Sequence, residues 1–338
     1  MRIDEFALGV SPRAAELRAL RGTIGSSDVR MTGSVDNLLG FAIGEGELSG
    51  RASLDSDRFD LDEWRSDDSL AVILVPPRID FVLRTAIAQL HHARLDMTNA
   101  RGVVRVRDQR LTIDSLRLNA VGGEFRLAGW YETIDPAKPA FDIDVGITNA
   151  SVAESFEALT TVQLLAPVAR YAEGRFSTSL QLNGALGGNM MPDLTALTGR
   201  GTLETTQVAL QEFPPMNRLA DALDSGLLRN PALRAIRTAI VIDDGRLHVR
   251  PFDVGIGAST LTVGGSNGLD RSLDYDLVLA LPQSALESGA REVVGNLFSR
   301  AGVAGAVLDT VSVVRVAVKL TGTIDDPSIS LDVGRGVT

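Results

Sequence analysis

Apolar and polar residues alternate along much of this chain with a period of two. Between Arg110 and Trp130 the apolar positions are Leu111, Ile113, Leu116, Leu118, Phe125 and Leu127, closing on Gly129. The same rhythm returns between Arg246 and Ser266 as Leu247, Val249, Phe252, Val254, Leu261 and Val263, closing on Gly265. Only Arg110/Arg246, Leu111/Leu247 and Gly129/Gly265 are identical, so the repeat is one of pattern. Alternation bounded by glycine turns predicts strands that are apolar on one face and wet on the other. The repeat extends over 110–147 and 246–281. Phe141, Ile143, Val145 and Ile147 alternate in the first copy, and Tyr275, Leu277, Leu279 and Leu281 in the second.

Ile113 and Leu116 are three apart, as are Val249 and Phe252, so neither pair can share a face of an unbroken strand. A bulge is expected inside each slip, and Pro251 sits in the second, where a sheet tolerates a residue without an N–H. Further strands are expected over Asp28 to Gly33, Gly46 to Leu54, and Ile79 to Thr85, where Ile79, Phe81 and Leu83 alternate. Arg105 and Arg107 against Val104 and Val106 read as a wet and a dry face.

Helical spacing interrupts the strands. Ser11-Pro12 resembles an N-cap with proline in the first turn, predicting a short helix over Arg13 to Leu20. Ser151 to Tyr171 carries Phe156, Leu159, Val162 and Ala166, with Pro167 expected to kink or split it. After Pro214-Pro215 come Met216, Leu219, Ala220, Leu223 and Leu227. Ser284 to Arg300 carries Leu286, Val293, Val294, Leu297 and Phe298. None of the last three has the Lys/Arg-rich polar face of a membrane-surface helix, so each is expected to cap an apolar sheet face.

Composition narrows the function. The 338 residues carry a net charge of −10, which repels phosphate backbones and argues against a nucleic-acid partner. With no cysteine, disulfides, thiol catalysis and thiolate metal sites are excluded together. The longest apolar run, Leu70 to Val75, ends at Pro76-Pro77 and falls short of a membrane span. Met1 to Glu5 lacks the apolar core of a signal peptide, so work outside the cytoplasm would require a further amino-terminal piece.

Candidate chemistry fares poorly. Gly264 to Gly268 matches the G-x-S-x-G of a hydrolase elbow around Ser266, but a strand follows and no histidine does. It reads as a hairpin turn. His91 and His92 are adjacent and, on a strand, are expected to face opposite ways, so they cannot share a metal. Asp55, Asp57, Asp60, Asp62, Glu63, Asp67 and Asp68 lack the glycine and closing glutamate of a calcium loop and read as a solvated edge. Gly44-Glu45-Gly46 is followed by Gly50, outside the dinucleotide-loop spacing, and no Gly-Lys-Ser/Thr exists. No catalytic residue, metal ligand or cofactor is assigned, and the expectation is a protein that is not an enzyme.

Several segments carry a resemblance: Gly22 to Gly33, Leu54 to Leu61, Lys138-Pro139 before the Phe141 strand, Gly174 to Thr178, and Met191 to Leu197 running into Gly199 to Gly201. Asp244 to Phe252, Gly265 to Gly268 with Leu273 to Tyr275, and Leu320 to Pro327 extend it. Together they look like the carboxy-terminal region of the AsmA family. The resemblance implies a bridge-like lipid carrier of the bacterial envelope, facing the periplasm, anchored in the inner membrane by an amino-terminal helix, and linked to phospholipid traffic and outer-membrane assembly. This chain departs from the pattern in having no such anchor segment.

The expected architecture is mainly β: an elongated, curled antiparallel sheet forming an apolar groove (a β-taco), with a few short inserted amphipathic helices. It runs as one continuous region over 1–338 with a soft boundary near 65–78. The expected ligand is phospholipid or another acyl lipid, with envelope membranes as partners, and no protein partner is specified. Groove candidates are Ile113, Leu118, Phe125, Leu127, Phe141, Ile143, Val145, Val249, Val254, Leu261, Val263, Tyr275, Leu277 and Leu279. The alternative is a non-conducting envelope scaffold whose apolar face is filled by its own helices.

Overall fold

The computed structural model describes residues 2–64, 73–187, 192–234, 236–285, 288–300 and 312–332. Asp67, Asp68, Leu70, Met191, Leu286 and part of the soft boundary at 65–78 lie outside the described residues. The protein is mainly β, with eighteen strands and five α-helices among the described residues. It divides into two compact units, Met1–Ala150 with Ser179–Gly199, and Ser151–Thr178 with Arg200–Thr338.

The first unit begins with β1 (Arg2–Val10), β2 (Ala14–Ile24), β3 (Ser27–Asp36), α1 (Leu38–Ala42) and β4 (Leu48–Asp60). It continues through β5 (Ile79–His92), β6 (Leu95–Arg107), β7 (Arg110–Ala120), β8 (Gly123–Glu132) and β9 (Ala140–Ser151). β1 to β4 form one antiparallel meander. β5 to β9 form another. Among β1 to β9 the antiparallel expectation fails at β4 and β5, which run parallel from Leu48 opposite Ile79 to Asp60 opposite His91. A parallel pair requires the chain to return along its own length before pairing. That return is 61–78. Its first residues form the 3-10 turn Leu61–Trp64. Near its end the Val75 N–H donates to Thr133 Oγ1 at 2.9 Å, and the Tyr131 hydroxyl donates to the Ile73 carbonyl at 3.0 Å.

The expected bulge between Ile113 and Leu116 is present, opposite Gly129. A further copy of this device appears in β2, which slips between Leu17 and Leu20 opposite Gly33. Leu17, Leu20 and Gly33 thus stand where Ile113, Leu116 and Gly129 stand, and Arg21 and Arg30 match Arg117 and Arg126.

This overturns the helix expected over Arg13 to Leu20. Ser11 makes a turn, its N–H donating to the Ala14 carbonyl, and the chain then pairs with β1 on one side and β3 on the other. Ala, Leu, Glu and Arg favour helix locally, but two ladders of backbone hydrogen bonds outweigh a propensity of a few tenths of a kcal/mol per residue.

The second unit opens with α2 (Val152–Ala158) and α3 (Thr160–Leu165), and Pro167 starts a separate 3-10 turn, splitting the helical segment as expected. β10 (Ala172–Ala185), which belongs to the first unit from Ser179 on, and β11 (Thr198–Leu210), which belongs to the second from Arg200 on, precede α4 (Pro214–Leu223). β12 (Ala232–Arg234), β13 (Arg237–Asp243), β14 (Arg246–Ile256), β15 (Ser259–Gly268) and β16 (Ser272–Pro282) follow. The chain closes with α5 (Ser288–Arg300), β17 (Val313–Thr323) and β18 (Pro327–Asp332). β13 to β18 form an antiparallel meander. The second expected bulge lies between Val249 and Phe252 and contains Pro251.

α4 starts on two prolines, whose fixed φ suits a first turn, and buries Met216, Leu219, Ala220 and Leu223 on one face. Leu227 falls beyond it, in the 3-10 turn Gly226–Leu228. In α5 Ala290 and Val294 are buried, and the Phe298 side chain lies outside the described residues. These helices pack with Val254, Leu261, Leu277, Leu279, Val316 and Val318 into the one large buried apolar cluster among the described residues, which lies wholly in the second unit.

Candidate functional site

In the first unit the strand register turns alternation into rows. Leu8, Leu17, Gly33, Ala52, Leu83, Val104, Ile113, Gly129 and Ile143 lie side by side across β1 to β9. Beside them runs Val10, Ala15, Val35, Gly50, Phe81, Val106, Leu111, Tyr131 and Phe141. On the other side runs Phe6, Leu20, Met31, Leu54, Thr85, Gly102, Leu116, Leu127 and Val145. No charged residue enters any of the three rows. At about 4.8 Å between strands, nine strands make a dry face about 38 Å wide.

The paired slips at the bulges keep the rows in phase. Without them, each strand would turn its second half to the wrong face.

The one α-helix of this unit among the described residues, α1, buries none of its residues. Phe141 and Ala52 are buried, but Leu83, Val104, Ile113, Leu127, Ile143 and Val145 are only half-buried. At the β1 edge Phe6 is 59% and Val10 70% exposed. The opposite face is polar and ion-paired: Arg105 reaches Asp114 at 2.6 Å, Arg110 reaches Glu132 at 2.6 Å, and Arg30 reaches Asp57 at 2.9 Å.

Seven sequence candidates lie on the dry face: Ile113, Leu118, Phe125, Leu127, Phe141, Ile143 and Val145. The other seven, Val249, Val254, Leu261, Val263, Tyr275, Leu277 and Leu279, occupy the equivalent rows of the second unit. There Val249, Gly265, Tyr275 and Leu320 align, then Phe252, Val263, Leu277 and Val318, then Val254, Leu261, Leu279 and Val316. These rows belong to the buried cluster or pack against it, Val249 and Gly265 excepted. Tyr275 donates to Asn267 Oδ1 at 3.0 Å, and burial pushes its phenol up to about 12. Phe81, Leu83, Val104, Val106, Leu17, Leu20 and Met31 were not among the sequence candidates. Their alternation is visible in the sequence, but the register that joins them to β7 to β9 is not.

The polar clusters serve the scaffold. Gly264 to Gly268 is not a hairpin turn: it is the end of β15, paired with β14 and β16, and the turn falls at Leu269 to Arg271. Flanking strands on both sides extend the ladder through the glycines. His248 and Asp274 lie on either side of Ser266, placing the serine rather than the histidine in the middle. The Ser266 hydroxyl accepts from Arg246 Nε at 2.9 Å, so its lone pair faces a cation instead of a base.

His91 and His92 do not face apart. His92 Nδ1 lies 2.8 Å from Asp62 Oδ1, and His91 Nε2 lies 4.0 Å from Asp62 Oδ2. They stand at the very end of β5, where the hairpin bend relaxes strict alternation. Their partner Asp62 sits on the 3-10 turn and also accepts the Ala93 N–H, which holds its carboxyl below the usual range. Glu63 beside it accepts the Ser26 N–H and the Ser27 hydroxyl and is held down likewise. Among the described residues no group of three or more His, Asp or Glu side chains is arranged to hold a metal ion.

No described helix is long and apolar enough to cross a membrane. The fold and its dry face define a mainly-β protein with one apolar sheet surface packed into a large buried cluster and one that is mostly half-buried. No family model matches the chain, and neither a curated protein nor a solved structure matches it.

Proposed function

We propose that the first unit binds lipid acyl chains on its dry face, and that the protein is an AsmA-like component of the bacterial envelope supporting lipid transport or outer-membrane assembly. The carrying observation is the set of three charge-free rows across nine strands, most of whose apolar side chains are half-buried, in a unit without the large buried cluster that α4 and α5 complete in the second. A water-exposed methylene costs about 0.8 kcal/mol, so two tails of about 30 methylenes cost on the order of 24 kcal/mol to carry bare. A charge-free surface removes much of that cost without a pocket for the head group. The periplasmic setting, at the inner membrane, rests on the sequence resemblance.

The covered second unit favours a narrower reading for that half, in which its sheet is a packed support. Lipid extraction and native mass spectrometry on protein purified from cells test the proposal. Phospholipid should co-purify in stoichiometric amount and be lost in Leu83→Asp. Lipid-free protein that takes up no lipid from vesicles would leave the scaffold as the whole function.

A further inference from the structure

The polar face of the first unit carries a cleft of about 380 Å³ whose lining includes Ser34, Ser49, Arg51, Val82, Arg84 and Arg105. Its layout follows from the register. Ser34, Arg51, Val82 and Arg105 stand in one row across β3 to β6. Arg84 is the next residue along β5 on the same face. Arg51 and Arg105 are therefore two strand spacings apart, about 10 Å, with the short Val82 side chain between them as a floor. Three guanidinium groups surround one small aliphatic patch.

Two of these groups are unneutralised. Arg105 donates to Asp114 at 2.6 Å, whereas Arg51 and Arg84 make no ion pair or side-chain hydrogen bond among the described residues. On the same face Arg30, Arg110 and Arg126 have carboxylates within 3 Å, whereas Arg101 and Arg117, like Arg51 and Arg84, make no ion pair among the described residues but line no such cleft. In a chain with net charge −10, three arginines gathered round one cleft against the single lining carboxylate of Asp36, two of them outside any ion pair, point to an anion supplied from outside. Guanidinium forks match oxyanions bidentately. A tetrahedral phosphate offers acceptors on three sides at once, which a planar carboxylate does not, and the Ser34 and Ser49 hydroxyls add neutral donors. Asp36 also lines the cleft and limits the charge it can accept.

We propose that this arginine cleft binds the phosphate group of a small soluble phosphate or phosphate ester. A lipid lying on the dry face cannot place its head group there, because the sheet itself intervenes. The site is thus independent of the acyl-binding reading.

Inorganic phosphate and glycerol phosphate titrated into the full chain, at constant ionic strength with chloride as control, provide the test. Thermal unfolding and phosphorus NMR line width are the readouts. A saturable rise in Tm with line broadening is expected. Loss of one charge-assisted contact should weaken binding about tenfold, so Arg51→Gln and Arg84→Gln should each do so. Arg117→Gln, on the same face outside the cleft, should leave binding unchanged, and Asp36→Asn should tighten it. A response that fails to saturate, or one unaltered in the Arg51→Gln/Arg84→Gln double variant, would overturn the proposal. So would binding to phosphatidic acid vesicles with no response to soluble phosphate, since that assigns the arginines to a membrane surface.

Discussion

Gly129 and Gly265 take φ values of 141° and 145°, a region that side chains rarely enter. A Cβ at Gly129 would collide with the Asp142 carbonyl, and one at Gly265 with the Asp274 carbonyl. Each glycine faces the bulge of the neighbouring strand, so backbone replaces side chain where the rows must stay in phase. Gly129→Ala is expected to lower unfolding free energy by about 2 kcal/mol or more, measured by urea titration. Val121 presents the opposite case: a β-branched residue held at φ 43° in the turn between β7 and β8. Asn-Gly suits such a two-residue turn far better than Val-Gly. Val121→Asn should therefore raise stability by about 1 kcal/mol, seen as a higher Tm.

At the scale of elements, the 3-10 turn Leu61–Trp64 ties two hairpin ends together, Asp62 holding the Ala93 N–H and Glu63 the Ser26 N–H. Both carboxyls have folded values lowered from 3.8 and 4.5. Their contribution is present above those unfolded values and is lost as pH falls through the lowered folded ones. His91 is raised above 6.5, mainly by its hydrogen bond to Asp96, so its contribution is complete below 6.5 and fades as pH rises through the raised value. Hydrogen exchange at the Ala93 and Ser26 amides, corrected for intrinsic rate, should show protection that falls away only below the ordinary carboxylate values of 3.8 and 4.5. Amides that exchange unprotected at neutral pH, where both carboxylates are charged, would deny the tie. The strands around Ile79, Phe141 and Tyr275, both bulges, and the break at Pro167 were legible in the sequence, because each is a local rule of period or sterics. β2 was misread because helix-forming residues after Ser11-Pro12 outvote an alternation that its own bulge interrupts. The parallel β4–β5 ladder left no local signal, since it depends on where a distant segment returns. For the same reason, the register that joins the six strands β1 to β6 to the dry face of β7 to β9 was out of reach.

For the molecule as a whole, one sequence rhythm serves two ends. In the second unit Leu279 is fully buried and Val316 beside it likewise, so a carboxylate there would lose its water with no partner to replace it. Leu279→Asp should cost roughly 3 kcal/mol or more and broaden or abolish cooperative unfolding. Ile143→Asp, on the half-buried face, should unfold near the parent Tm while lipid uptake falls. Equal destabilisation of both variants would mean that the first unit's dry face is as tightly packed as the second's.

The parallel ladder between β4 and β5 also bears on the order of assembly. β1 to β4 and β5 to β9 each close by short hairpins, whose loops form in microseconds. β4 and β5 can meet only after the chain has doubled back over 61–78, a longer closure with a larger entropic barrier. The two meanders should therefore exist before their seam does, leaving a kinetic intermediate in which each presents a raw, hydrogen-bond-hungry margin to other molecules.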